Sequence, residues 1–365
     1  MKLLHFADLH LDAQFAWAPA AVAGRRRDAL RSALVRIVDL AAERDVDAIV
    51  CAGDLFEHER VTPDTVAFMR SQFERAGRPV YISPGNHDHC SARSVYRLAD
   101  WPANVHIFST DRLTPVALGD GVTLWGAAHL VPANTGDFLE GFTTDRPGLN
   151  LALFHGSERS ELAMLGEGRQ PHAPFEAAEL ERAGLDHAMV GHYHRPADEP
   201  RHTYPGNPAP LTFGETGERG AVIFTIGPDG ALERERVSVS DGTGLHAVDV
   251  DLSGCQGSAE CVERTSAALA GLRGSARVRL TGEVSPDVIL QARQVRDASP
   301  DLDEVLVDDS GLAVAYDFEQ IARERSVRGQ FVLDVQADAS LESDERRLIL
   351  TAGLRALDGR SDLEV

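Results

Sequence analysis

Lysine is nearly absent from these 365 residues: Lys2 is the only one, and arginine carries the rest of the basic charge. One cation used throughout reads as a compositional habit, so no guanidinium chemistry is drawn from it. Long apolar runs are missing as well. The opening MKLLHFADLH has too short an apolar stretch for a signal peptide, and nothing later approaches the roughly 18 residues needed to cross a bilayer. That excludes a membrane partner and gives a cytoplasmic expectation. Cysteine is scarce: Cys51, Cys90, Cys255 and Cys261 form no CxxC pair and are too few for a disulfide framework, so they are expected to be reduced and structural. No repeat of fixed period and no low-complexity tract is present. Net positive charge, the usual mark of a protein that holds nucleic acid on its own surface, is absent too, since the formal net is -21. The acid is uneven. Residues 241–365 carry -11, including the run Asp301, Asp303, Glu304, Asp308 and Asp309, and the first 240 residues carry only -10.

What is present is the composition of a globular protein, 43% hydrophobic and 25% charged. Single cores stop growing at roughly 250 to 300 residues, so two domains are expected. LLHFA (3–7), DAIVCA (47–52), PVYIS (79–83), VTLWGA (122–127), LALFH (151–155) and HAMVG (187–191) read as buried strands. Between them, 26–44, 62–76 and 174–184 carry apolar residues at helical spacing. The alternation predicts an α/β layered domain over residues 1–243. After Gly220 the pattern turns to strands such as AVIFTI and ERVSVS. The sequence SDGTG (240–244) reads as a linker, and 244–365 as a small C-terminal α/β cap ending in a helix at 341–357.

Five clusters of metal-type ligands fall at the C-terminal ends of the predicted strands or just past them, where α/β proteins build their sites. The first is Asp8-Leu9-His10, whose two polar residues, two apart on an extended segment, would face one ion. The same spacing recurs in His192-Tyr193-His194. Gly53-Asp54 offers a carboxylate able to bridge two cations beside a glycine that permits close approach. Gly85-Asn86-His87-Asp88 follows the third strand, and His155 ends the fifth. Any one pair alone is as easily a structural histidine. Together they supply seven ligands of mixed carboxylate, amide and imidazole type, a set suited to two borderline cations.

In order and spacing these motifs resemble the calcineurin-like metallophosphoesterases, over about residues 1–226. The resemblance implies a four-layer αββα sandwich. It also implies two divalent ions, manganese first with iron or zinc as alternatives. One would be held by Asp8, His10, Asp54 and His194, the other by Asp54, Asn86, His155 and His192. The expected nucleophile is a metal-bridging hydroxide. His87 would protonate the leaving oxygen, with Asp88 orienting its ring. HFADLHLD, GDLFE, PGNHD, GHYHRP and the segment Tyr204 to Glu215 further resemble the SbcD-like DNA repair exonucleases, with Asn207 where that branch usually has serine. By that resemblance the substrate is DNA, with exonuclease and single-strand endonuclease activity. The partners would be a second copy of the chain and an SMC-like, SbcC-like coiled-coil ATPase.

Arg25, Arg26, Arg27 and Arg195 are candidate phosphate contacts, which would position a strand without reading its sequence. His58, His89, His129, His172, His187 and His202 are taken as structural or supporting, with His89 exposed in its loop. Leu348, Ile349, Leu350, Leu354 and Leu357 form either a docking face or packing against the cap. Two competing readings stand beside the nuclease. The acidic surface favours a phosphodiesterase of small nucleotides or cyclic nucleotides, and a metal-bound scaffolding subunit of an ATPase complex would not need His87.

Overall fold

The computed structural model describes all residues except 120, 161–170, 216, 218, 240–243, 287 and 360–365. The chain divides into two units, Met1–Asp241 and Gly242–Val365. The expected linker at 240–244 lies, apart from Gly244, outside the described residues.

The first unit opens with β1 (Lys2–Phe6), α1 (Ala20–Glu43), β2 (Ala48–Cys51), α2 (Pro63–Ala76), β3 (Val80–Ile82), α3 (Val95–Leu98) and β4 (Val105–Ile107). β1 pairs parallel with β2, β2 with β3 and β3 with β4. A parallel ladder needs crossover helices, and both long ones are legible locally. α2 begins at a Thr62 cap whose hydroxyl accepts from the Thr65 N–H at 3.2 Å, carries Pro63 at its first position, and stops at Gly77 with φ +63°. α1 starts six residues ahead of the predicted 26, at Ala20 behind Pro19, which places the arginine triplet within the helix.

A second series follows: β5 (Thr114–Gly119), β6 (Val122–Gly126), β7 (Leu149–His155), α4 (Ala177–Arg182), β8 (His187–Gly191), β9 (Ala197–Asp198) and β10 (His202–Tyr204). Then β11 (Gly220–Ile226) and β12 (Leu232–Ser238) return to the first sheet, whose order is β12-β11-β1-β2-β3-β4. The second sheet runs β5-β6-β7-β8-β10-β9. Leu3, Val50, Leu151, Leu153, Met189 and Phe224 fill the layer between the sheets. The outer faces pack on α1 and α2 on one side and on Phe154, Phe175 and Leu180 on the other. The unit is a four-layer α/β sandwich, and each such side chain withdrawn from water contributes about 1.5–3 kcal/mol.

That inter-sheet layer also holds charge-capable groups. His5 and His187 both pack against Phe224, at centroid distances of 6.1 and 5.4 Å. Burial, aided by the charges of Arg234 and His202, pushes His187 down to about 4, and burial with His187 pushes His5 well below its ordinary value. An unfolded histidine takes up its proton near 6.5. The stability these two residues contribute is therefore full above that pH and falls as the pH drops toward 4, because only the unfolded chain gains these protons. Urea unfolding with chelator present should show His187→Gln costing less stability, relative to wild type, at pH 5 than at pH 7.5.

The second unit contains β13 (Gly244–Asp251), α5 (Ser258–Leu269), β14 (Gly274–Val284), α6 (Ala292–Asp297), β15 (Leu302–Val314), α7 (Phe318–Ala322), α8 (Val327–Ala337) and α9 (Ser343–Leu357). Its strands form one parallel sheet, β13-β14-β15, joined through α5 and α6. Leu350 and Leu354 of α9 are buried with Val332 and Ile321, so that part of the proposed docking face is packing; Leu348 and Leu357 are exposed.

Candidate metal centre

Strand ends from both sheets of the first unit deliver the seven residues expected as ligands. Asp8 and His10 follow β1, Asp54 follows β2, Asn86 follows β3, His155 closes β7, and His192 and His194 follow β8. Asp8 and His10 were expected to face one ion by strand alternation. Instead both are left-handed, with φ +55° and +50°, as are Asp54 at +51° and His192 at +110°. These conformations cost free energy in residues with a Cβ and gather where a site over-determines the backbone. Here Asp8 N–H donates to Gly53 O at 3.0 Å, His10 N–H to Asp54 O at 2.9 Å, and His192 N–H to the Asp8 carboxylate at 3.0 Å. Glycine is obligatory at position 53, where a Cβ would lie 2.7 Å from Gly85 N and 2.8 Å from the His155 ring.

His155 shows what the cluster is built for. Its Nδ1 donates to Ala52 O at 2.9 Å, and its Nε2 then faces Asn86 Oδ1 at 3.1 Å, Asp54 Oδ2 at 3.2 Å and His192 Nδ1 at 3.2 Å. Lone-pair atoms converge on one ring nitrogen, and a single proton serves only one of them at a time; a cation serves all. On the other side, His10 Nε2 lies 3.2 Å from His194 Nε2 and 3.6 Å from Asp54 Oδ2. Donor atoms of Asp8, His10 and His194 lie within 4.8 Å of one another, as do those of Asp8, Asp54 and His155. Asp54 stands between the two sets. Although burial opposes it, the charge of His155 holds the Asp54 carboxyl well below the usual range, while burial and the charge of His155 keep His192 neutral. The residues fit two divalent ions.

His87 stands at the edge of this cluster with its side chain 46% exposed, open to a substrate, and its ring 4.8 Å from that of His10. Its orienting partner is a correction to the expectation. Asp88 is fully buried and accepts from the N–H groups of Gly85 (2.6 Å), Leu55 (2.8 Å) and Asp54 (3.1 Å) and from Tyr96 OH (2.6 Å). Its oxygens are committed to the loops carrying Asp54 and Asn86, and burial with the charge of Asp54 pushes it up to about 6. Glu57 holds His87 instead, with Oε2 3.0 Å from Nδ1, and its Oε1 lies 2.7 Å from His10 Nδ1. Burial works against both charges here. Even so, hydrogen bonds with the two rings hold Glu57 at about 2, and Glu57 with Asp54 lifts His87 to about 9.

Glu215 plays the matching part at His194, with Oε1 2.8 Å from Nδ1 and Oε2 accepting from Asn207 at 2.6 Å and Leu211 N at 2.7 Å. It too is held at about 2, against burial, chiefly by His194. Asn207 is therefore a structural strut, bonded also by buried Arg219. Sequence reasoning missed Glu57 and Glu215 as supports. Both stand within GDLFE and LTFGE, and a glutamate in a loop carries no signal of which ring it will meet.

Arg26 is a second correction. It is 2% exposed, donates to Pro210 O at 3.0 Å and sits 5.9 Å from the centre of the Phe15 ring, so it braces α1 and is closed to a phosphate. Arg25 and Arg195 are exposed and Arg27 is half-buried. His89, expected in the open, is 9% exposed and packs on His58 with ring centres 4.4 Å apart.

Residues 1–196 match the family described as calcineurin-like phosphoesterase. A protein of Bacillus subtilis (strain 168), named uncharacterized metallophosphoesterase YhaO, is 30% identical over 242 residues, covering 62% of this chain and 57% of that one. Two proteins named DNA double-strand break repair protein Mre11, from Methanopyrus kandleri and Aeropyrum pernix, are each 28% identical. Those matches cover 68% and 61% of this chain and 59% and 57% of theirs. The chain thus spans a little over half the length of these relatives.

Proposed function

Because the chain belongs to the calcineurin-like phosphoesterase family, we propose that it is a two-metal phosphodiesterase that cleaves DNA, as an exonuclease with single-strand endonuclease activity, in repair or end processing. The observation that carries the reading is the lone-pair cluster at His155 with His87 open beside it. Two divalent cations, manganese foremost, would supply Lewis acidity and an activated water there. Asp8, His10, Asp54 and His194 would hold one, and Asp54, Asn86, His155 and His192 the other. The remaining chemistry belongs to the side chains. Glu57 engages His87 at Nδ1 and favours the imidazolium, which leaves Nε2–H free to donate to the departing 3′ or 5′ oxygen. Asp88 keeps the Asp54 and Asn86 loops in register.

DNA as the substrate is supported by the names of the two Mre11 relatives and by the segment from Tyr204 to Glu215, which wraps His194. A second copy of the chain and an SMC-like ATPase belong to the same proposal, and a basic partner surface would offset the net charge of -21. That acidity also favours the alternative, a small nucleotide substrate. Purified protein with manganese decides between them: end-labelled DNA should be degraded, and hydrolysis of bis-p-nitrophenyl phosphate without loss of DNA would favour the small substrate. Arg25, Arg27 and Arg195 remain the proposed phosphate contacts. If Arg195 meets a phosphate, Arg195→Ala should reduce the slope of log affinity for duplex DNA against log salt by about 0.9.

A further inference from the structure

β15 (Leu302–Val314) is an edge strand of the second unit. It pairs parallel with β14 in the order β13-β14-β15, and among the described residues no strand lies along its other side. Its 13 residues are about twice the usual strand length, and such an edge presents a row of unpaired N–H and C=O groups that can template another strand. The core beneath it is also unfinished. Ala276, Val278 and Leu280 of β14 are fully buried, whereas Leu302, Val307 and Leu312 of β15, packed on the same core, stay partly exposed. Residues 304–308 run opposite 275–279 in regular register, and the register shifts only past Asp308. Edges are commonly blunted by lysine or proline, and β15 has neither. Its charges are all of one sign: Asp303, Glu304, Asp308 and Asp309, with no basic residue in the strand. Glu304 is served by Arg296 at 2.7 Å, and Arg279 stands in register with Asp308, while Asp301 and Asp303 are exposed before the regular stretch. Like charges placed opposite each other destabilise a strand pair. The acidic row therefore repels a second β15 edge, and it repels the phosphates of a nucleic acid; a basic strand is what it accepts.

We infer that the free edge of β15 is a docking site for an extended segment of another protein, rich in lysine or arginine, which adds a fourth strand to this sheet along residues 303–308. Main-chain hydrogen bonds supply the affinity, and the acidic side chains select the charge of the incoming strand. Burial of the exposed parts of Val307 and Leu306 adds to it. The site lies wholly in the second unit, so it stands apart from the metal centre and from whatever that centre cleaves.

The probe is a fluorescein-labelled peptide of alternating lysine and valine, titrated into the full-length protein and followed by anisotropy. Hydrogen exchange of the amides in 303–308 reads where it binds, and exchange there should slow by at least ~10-fold. Two controls separate a ladder from simple charge attraction. The same peptide N-methylated at every residue keeps its charge but cannot donate to the edge, and should bind at least ~10-fold more weakly, the worth of about two hydrogen bonds. A peptide with glutamate in place of lysine should not bind. Asp303→Lys, a change on an exposed side chain, should weaken the lysine peptide by roughly 5-fold. Failure of the lysine peptide to bind, or equal binding by the methylated or the glutamate peptide, would overturn the inference. Protection of 303–308 that grows with protein concentration in the absence of peptide would overturn it too, by giving the edge to a second copy of the chain.

Discussion

His87→Ala is expected to lower manganese-dependent cleavage of DNA by about 10²–10⁴-fold, the range over which a positioned proton donor acts. The variant should keep its fold and its cations. His87 is on the open edge of the cluster, its side chain half in solvent, and the substitution retains its backbone N–H, which donates to Oδ1 of Asp54, a proposed ligand, at 2.8 Å. Lost activity with unchanged manganese stoichiometry would separate the proton from the metal. The leaving group provides an internal control. A sugar hydroxyl leaves DNA poorly without a proton, whereas nitrophenolate from bis-p-nitrophenyl phosphate leaves without one, so the variant should lose far less on the ester than on DNA. Equal losses on both substrates would reassign His87 to binding. Glu57→Gln should fall between wild type and His87→Ala on DNA, because a neutral amide at 3.0 Å still positions the ring but no longer favours its charge.

The candidate ligands were legible in the sequence because they are polar residues at or just past the ends of largely buried strands, as in LALFH and HAMVG. Period and burial gave the six core strands, and with them the points at which the chain must turn. What was hidden is what depends on several loops meeting. Asp88 adjoins His87, and adjacency suggested that it orients the ring. The loop from Gly85 to Asp88 instead turns that carboxylate inward onto three backbone N–H groups. Glu57 is 30 residues from His87 in sequence and meets it only because β2 and β3 are neighbours in the sheet. Arg26 was hidden for a similar reason: in a run of three arginines on one helix, only the face turned toward Pro210 and Phe15 is closed, and nothing in the triplet marks which residue occupies it. β4 and β5 escaped detection because neither is an uninterrupted buried run; the first is short and half-buried, the second alternates and carries Pro115.

Asp88→Ala should fail in a different way from His87→Ala, through the fold. The carboxylate is fully buried and accepts four hydrogen bonds, three from the backbone of the two loops that carry Asp54 and Asn86. Removing it strands those N–H groups where water does not reach, and losing one member of a buried ionic network costs about 3–5 kcal/mol. Against a total stability of roughly 5–15 kcal/mol, that is a large fraction. Urea unfolding in the presence of chelator should therefore show a lower midpoint with an unchanged slope. Manganese binding should weaken as well, since Asp54 is the carboxylate proposed to serve both cations. Tyr96→Phe removes only the fourth hydrogen bond, at 2.6 Å, and should cost about 1.5 kcal/mol, with the loops and their cations retained. The order of damage discriminates between roles. A structural brace predicts that stability and metal affinity fall together from Tyr96→Phe to Asp88→Ala. An Asp88 that acted through the His87 ring would instead lower turnover on DNA with the unfolding midpoint and the manganese affinity unmoved.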